Sequence, residues 1–269
     1  MIIKRIVSLC PSNTEILFAL GLGERVVGVD SHSDYPPEVL NLPRVGPDLR
    51  INMEKVKALK PDLVIASLTV PGMERNVEAL REIKLPYIVL NPKNIEETLE
   101  DILILGTLTD TIQKAEKLEE YMTNTIDSLK SELGKNQFKP KLYWEWWPKP
   151  LIAACKLSWI NDMSEIVGGI NVFSHVEKES SIIEDSDIFN LDPDIICICW
   201  CGDKMQKKMS KDKIFTRNGW ENIKAIKGKR VYCLPESLFG RPGPRIIDGL
   251  KLLSQIIHSS TMAHEPTDN

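Results

Sequence analysis

Apolar residues along the first third of the chain fall in short runs: Arg5–Leu9, Val26–Val29, Leu63–Ala66 and Pro86–Leu90. Between them lie segments of helical spacing. Ser12 or Asn13 caps a helix Thr14–Leu20, with Glu15 three residues beyond Ser12 in a capping-box arrangement and Gly21 at its end. Further helices are expected at Met53–Leu59, stopping at Lys60-Pro61, and at Glu74–Ile83. Strand, helix, strand in this rhythm predicts an α/β unit with a parallel sheet. The runs are almost wholly apolar, as strands covered on both faces require. From Asn94 to Leu133 the pattern changes. Leu99, Ile102, Leu105, Leu108, Ala115, Leu118, Met122 and Leu129 recur at helical intervals without proline, and Gly106 and Thr107 are the weak points. One helix of about 35 residues spans roughly 50 Å at 1.5 Å per residue, enough to join two lobes. After Pro140 the first rhythm resumes, with strands at Leu142–Trp146, Ile195–Trp200 and Arg230–Leu234 and helices at Trp159–Val167, Ile188–Leu191 and Ile246–Ile257.

The two halves echo one another. Leu59-Lys60-Pro61-Asp62-Leu63-Val64-Ile65-Ala66 and Leu191-Asp192-Pro193-Asp194-Ile195-Ile196-Cys197-Ile198 both read as a helix end, a Pro-Asp turn and an apolar strand. The expected organisation is therefore an amino-terminal lobe at 1–93, a linker helix at 94–134, a carboxyl-terminal lobe at 135–258 and a frayed tail at 259–269. In such a clamp a ligand meets the carboxyl ends of the strands, in the cleft between lobes.

A length of 269 residues suits two lobes better than one core, and 42% hydrophobic with 27% charged residues is a globular balance. The net charge of -4 and the lack of a basic run argue against nucleic acid. Met1–Leu9 is too short and too polar, with Lys4 and Arg5, for a signal peptide, so the chain as written is expected in the cytoplasm. The six cysteines sit mostly in apolar segments and read as buried thiols rather than a disulfide framework.

Nucleotide loops of the GxGxxG or GxxxxGK[ST] kind are absent, which disfavours a nicotinamide or ATP enzyme, and neither GxSxG nor HExxH occurs; no enzyme is expected. The aromatic cluster carries more. Trp144, Trp146 and Trp147 fall within four residues, with Trp159 and Trp200 following. Trp144 and Trp146 share one strand face, and three indoles at one strand end suit either core packing or a bulky apolar ligand. Cys197, Cys199 and Cys201 alternate onto one face; their spacing fits core thiols better than zinc, which favours gaps of two to four. His32 and His175 follow strands in opposite halves, where they could touch a ligand, bind an iron or cobalt centre axially, or do neither. No metal is required. Phe239-Gly240-Arg241-Pro242-Gly243-Pro244-Arg245 is a stiff loop whose Arg241 or Arg245 could meet a carboxylate, phosphate or amide; Arg245 could equally pair with Asp248.

Several stretches together resemble the iron-siderophore and cobalamin type of solute-binding proteins, the helical-backbone metal receptors, and most of all their vitamin B12-binding branch. They are Ile6 through Glu15, Val27-Gly28-Val29 through Asp34-Tyr35-Pro36-Pro37, Asn52 through Ala66, Met73-Glu74-Arg75-Asn76, Trp159 through Gly169 and Pro244-Arg245-Ile246. The resemblance covers nearly the whole chain. It implies a class III α/β fold of two similar Rossmann-like lobes joined by one long helix, and a monomer placed outside the cytoplasm that hands a metal chelate to an ABC permease. The implied ligand is a corrinoid (cobalamin), with haem or a ferric siderophore as alternatives, and no cofactor is needed. Pro11, Ser12, Asp48, Ser67 and Leu68 would line one lobe, and Trp146, Trp147, Phe173, Trp200 and Arg245 the other. Relatives place an aromatic where this chain has Ser67-Leu68. Glu74 matches the first of two glutamates that dock on permease arginines; the region of the second, Gly202–Lys208, is rich in lysine instead. A cytoplasmic corrinoid- or haem-handling protein and a metal-cluster protein using Cys10 with Cys155 or Cys197 are the other readings.

Overall fold

The computed structural model describes residues 3–133 and 138–262, which divide into two compact units: 1–122 with Pro242–Pro244, and 123–241 with 245–269. The first unit contains β1 (Ile6–Ser8), α1 (Pro11–Ala19), β2 (Val26–Val29), α2 (Met53–Ala58), β3 (Leu63–Ser67), α3 (Glu74–Glu82), β4 (Tyr87–Leu90) and α4 (Ile95–Leu108). Its four strands are all parallel, in the order β2-β1-β3-β4. Val7, Leu9, Val64, Ala66 and Leu80 pack into a core with Val45 and Val56.

The first helix begins earlier than its side chains suggested. It starts at Pro11 on Cys10, which gives no side-chain cap, because proline lacks the N–H that a first-turn residue leaves unpaired. Asn13, expected as a cap, instead donates from Nδ2 to the Ala66 carbonyl at 3.0 Å and ties α1 to the end of β3.

The second unit follows α5 (Ile112–Glu132), within which the division between units falls. It contains β5 (Lys141–Pro148), β6 (Leu151–Ala154), α6 (Trp159–Ile166), β7 (Ile170–Asn171), β8 (Ser180–Ile182), α7 (Asp185–Leu191), β9 (Ile195–Ile198), α8 (Asp203–Gln206), α9 (Asp212–Phe215), α10 (Lys224–Lys227), β10 (Val231–Cys233), α11 (Glu236–Phe239) and α12 (Ile246–Met262). The sheet runs β10-β9-β5-β6-β8, with β7 beside the first residues of β5. β10, β9 and β5 are parallel, and a hairpin adds β6 and β8 antiparallel. This hairpin was not expected from the sequence. Pro148-Lys149-Pro150 between two apolar runs was its signal.

The single long helix is two helices. α4 ends in a Schellman motif: Asp110 takes the left-handed conformation at φ 58°, the Thr111 amide donates to Gly106 O at 2.8 Å, and the Asp110 amide to Thr107 O at 3.5 Å. Gly106, expected only as a weak point, lets α5 approach, since a Cβ there would lie 2.4 Å from the Ala115 Cβ. α12 continues past Ser259, where the chain was expected to fray, to Met262; residues 263–269 lie outside the described residues.

The internal repeat is the same joint built twice. Lys60 and Asp192 both end their helix at positive φ, 47° and 45°. Asp62 Oδ2 accepts from the Lys4 and Arg5 amides at 2.8 and 2.9 Å, and Asp194 Oδ2 from the Lys141 amide at 2.9 Å. The Arg5 guanidinium caps the Leu59 carbonyl, and Lys141 Nζ caps Leu191 at 3.1 Å. Each Pro-Asp turn thus pins a helix end to the amino end of a central strand, β1 or β5. The two amide bonds hold the Asp62 carboxyl below its usual value.

Candidate functional site

In the first unit the loops after β1, β2 and β3 form a buried polar edge. Ser8 Oγ accepts from Thr14 Oγ1 at 2.8 Å, and Thr14 Oγ1 shares a 2.8 Å bond with Ser33 Oγ. Asp30, directly after β2, is fully buried and accepts from the His32 amide at 2.7 Å, the Ser33 amide at 3.1 Å and the Ser33 hydroxyl. Burial raises its carboxyl despite these bonds. Arg44 holds the same loop from behind by donating to Asp30 O at 2.9 Å and Ser33 O at 2.6 Å.

This frame brings most of the first-unit candidates to one edge. Pro11 and Ser12 open α1 and are buried. His32 is half-buried, with Nε2 3.7 Å from Asp48 Oδ1. The Asp48 loop is held by buried Asn76, which accepts from the Ile51 amide and donates to Asp48 O. Ser67 is buried and bonds Thr69 Oγ1 at 2.9 Å, beside half-buried Leu68. Cys10 lies in this edge too. Burial first, and then the Asp30 charge, push its thiol up to about 11, so it stays protonated at neutral pH. Glu74 is exposed at the start of α3 and accepts from the Gly72 amide at 2.7 Å.

In the second unit the strand alternation separates the tryptophans. Trp144 and Trp146 face α6: Trp144 is fully buried and donates to Ser164 Oγ at 2.9 Å, and the Trp146 ring lies 5.9 Å from that of Trp159. Trp147 is half-buried and donates to Lys149 O at 3.1 Å. The other face of β5 carries Glu145, which was not among the residues expected at a site. Its carboxylate is fully buried and accepts from Tyr143 Oη at 3.0 Å, Trp200 Nε1 at 2.9 Å, Arg217 Nη1 at 2.5 Å and Arg217 Nη2 at 2.7 Å. Arg217 in turn lies 4.5 Å over the Trp220 ring, whose Nε1 donates to Asp185 at 2.8 Å. Burial, reinforced by the Glu145 charge, drives the Tyr143 phenol well above its ordinary value.

The remaining second-unit candidates divide. Trp200 and Phe173 are 2% and 3% exposed and pack into the core with Tyr143 and Trp220. Arg241 is buried and pairs with Glu236 at 3.1 Å. Arg245 is half-buried, with Nη2 3.4 Å from Ser237 Oγ. His175 is exposed beside Phe173. The three-thiol strand face does not form: β9 ends at Ile198, Cys197 and Cys199 are fully buried with thiols raised far above the usual range by burial, and Cys201 is exposed. Among the described residues no three His, Cys, Asp or Glu side chains converge as a metal site, and no helix is long and apolar enough to cross a membrane. A cavity of about 730 Å³ between α5, α6 and α12, lined by Leu129, Leu133, Val167 and Ile257, contains none of the expected site residues.

Known proteins share this architecture. A periplasmic binding protein family model matches residues 6–238. The uncharacterized ABC transporter substrate-binding lipoprotein YvrC of Bacillus subtilis (strain 168) is 32% identical over 96% of this chain and 81% of its own length. The crystal structure of the periplasmic vitamin B12-binding protein BtuF of Vibrio cholerae superposes with a TM-score of 0.79 at 26% identity, covering 96% of this chain and 98% of that one. The periplasmic heme-binding protein RhuT from Roseiflexus sp. RS-1 superposes with a TM-score of 0.83 at 25% identity, over 96% and 98%. With a family match across most of its length, and with parallel-stranded units of the class III solute-binding fold, this chain belongs to the periplasmic binding protein family.

Proposed function

We propose that this protein binds a corrinoid through residues at the carboxyl ends of its parallel strands, as the substrate-binding component of an ABC-type uptake system. The observation that carries the reading is the likeness, over 96% of the chain, to a vitamin B12-binding protein. Two local features support it. The end of β5 carries Trp146 and Trp147, both half-buried, which offer broad apolar contact to a planar macrocycle. The edge beyond β1–β3 presents the polar set of Ser12, His32, Asp48 and Ser67 beside the apolar Leu68, held by the Asp30–Ser33–Thr14 network. Arg245, half-buried with Nη2 3.4 Å from Ser237 Oγ, is the second-unit cation that the family resemblance assigns to a polar ligand substituent. The protein acts as a monomer that carries cargo and performs no chemistry. Glu74, exposed at the start of α3, docks on a cationic permease.

The test is a titration with cobalamin, following tryptophan fluorescence. Saturable quenching that weakens in Trp146→Ala is expected; silence with cobalamin and with dicyanocobinamide refutes the corrinoid reading. Haem is the second reading. His32, beside Asp48 at 3.7 Å, is favoured for it by position, as a nitrogen ligand for iron. A Soret shift on adding haem that is lost in His32→Ala would establish it.

A further inference from the structure

The six tryptophans differ in one respect. Trp144 donates its indole N–H to Ser164, Trp147 to Lys149, Trp159 to Phe239, Trp200 to Glu145 and Trp220 to Asp185. Trp146 is the exception. Its Nε1 is sealed from solvent and meets no acceptor, although the residue as a whole is only half-buried. A buried donor without an acceptor is destabilising, and native proteins keep few of them without a use.

A second orphan lies in the helix that packs on Trp146. Trp159 opens α6 with its ring 5.9 Å from that of Trp146, and Asn161 follows in the same first turn, 7% exposed. Asn161 Nδ2 donates to Glu165 Oε1 at 2.9 Å. A carboxylate only accepts, so this bond fixes which way the amide points. Asn161 Oδ1 is left buried with no donor. The end of β5 and the first turn of α6 thus hold one unused donor and one unused acceptor.

We propose that Trp146 Nε1 and Asn161 Oδ1 recognise primary carboxamide groups on the ligand. This rests on the corrinoid reading and deepens it. A carboxamide supplies a carbonyl to accept from Trp146 and an N–H to donate to Asn161. A carboxylate satisfies only the first, and brings its charge towards Glu165. Corrinoids such as cobalamin and cobinamide carry carboxamides around the macrocycle, whereas haem carries carboxylates. The exposed part of Trp146 gives the ligand its first contact, and the two polar groups are uncovered as it seats. Trp146 and Asn161 are on this account the residues that set specificity for the periphery of the ligand.

The test compares dicyanocobinamide with dicyanocobyrinic acid, which has the same corrin and cobalt but carboxylates in place of amides, and with haem. Binding is read by tryptophan fluorescence and corrin absorbance. The wild-type protein is expected to prefer cobinamide over cobyrinic acid by at least about tenfold, because a site built for a hydrogen-bonding group rejects its partial mimic. Trp146→Phe, which keeps most of the ring, and Asn161→Ala should each shrink that preference to about threefold or less while remaining folded. Equal wild-type affinity for the two corrinoids overturns the inference and needs no variant; so does a preference that both variants leave unchanged. Either result leaves the corrinoid reading standing. Binding of haem with no binding of either corrinoid overturns both.

Discussion

Removing the Arg217 side chain should cost the second unit more stability than any other single truncation on the surface of its core. The Glu145 carboxylate is fully buried at the centre of the sheet, and Arg217 gives it two of its four hydrogen bonds and pairs its charge. In Arg217→Ala the two neutral donors, Tyr143 and Trp200, remain, but the charge is uncompensated. Breaking one half of a buried pair costs about 3–5 kcal/mol. At about 2–4 °C per kcal/mol for a chain of this size, that is a fall in Tm of about 6–20 °C. Glu145→Gln should lose stability as well, by leaving Arg217 half-paired in the same place. The double variant Glu145→Gln/Arg217→Met removes both charges and should recover at least half of the loss, since the pair itself is worth little against a well-packed neutral substitute. Urea unfolding at 25 °C, followed by tryptophan fluorescence, measures all three. A loss below about 1 kcal/mol for Arg217→Ala, or strict additivity in the double variant, would refute the reasoning, because it would mean that Glu145 is already solvated.

Two further outcomes follow from features of the first unit. Burial, with Glu97 and Glu100 alongside, pushes the Asp101 carboxyl up to about 7, so the folded state holds a proton there that the unfolded chain releases near 4. Stability from this group is present below about 4 and lost as pH rises through about 7, so Asp101→Asn should flatten the fall in urea midpoint between pH 5 and pH 8; an unchanged slope would exclude Asp101 as its source. Gly106→Ala gains about 1 kcal/mol of helix propensity but places a Cβ 2.4 Å from that of Ala115, so a net loss of roughly 1–2 kcal/mol in urea unfolding is expected, and a more stable variant would show that α5 can shift aside.

Most of the framework was legible because its signals are local. β1–β4, β9 and β10 are apolar runs bounded by turn residues, and the Pro-Asp pair recurs in sequence as it does in space. The break between α4 and α5 was not legible, since Thr109 and Asp110 do not stop helices by themselves. What stops α4 is the left-handed turn at Asp110, together with the packing of Ala115 against Gly106, a contact that exists only after folding. The same limit applied to the site. Trp144, Trp146 and Trp147 were conspicuous, but which of them is core depends on Ser164 and Phe239, far along the chain. The bond from Trp200 to Glu145 spans 55 residues and left no local signal. Glu145 itself was detectable in principle: a lone carboxylate inside Leu142-Tyr143-Trp144-Glu145-Trp146-Trp147 had to be paired with something. Arg217, 72 residues on, could not have been named.

The doubled joint at Asp62 and Asp194 has a bearing on how this protein can change. Both aspartates fasten the ends of β1 and β5 where the strands begin, while the loops after β1, β2 and β3 and the end of β5, which carry site candidates, lie where the strands finish. Anchorage and the candidate site residues thus occupy opposite rims of each sheet. Loops after β2 and β3, or the tip of the β5–β6 hairpin, can be lengthened, exchanged or recoloured for a new cargo while the fastenings stay untouched. A library built to retarget this scaffold would randomise those loops and hold Lys60-Pro61-Asp62 and Asp192-Pro193-Asp194 constant.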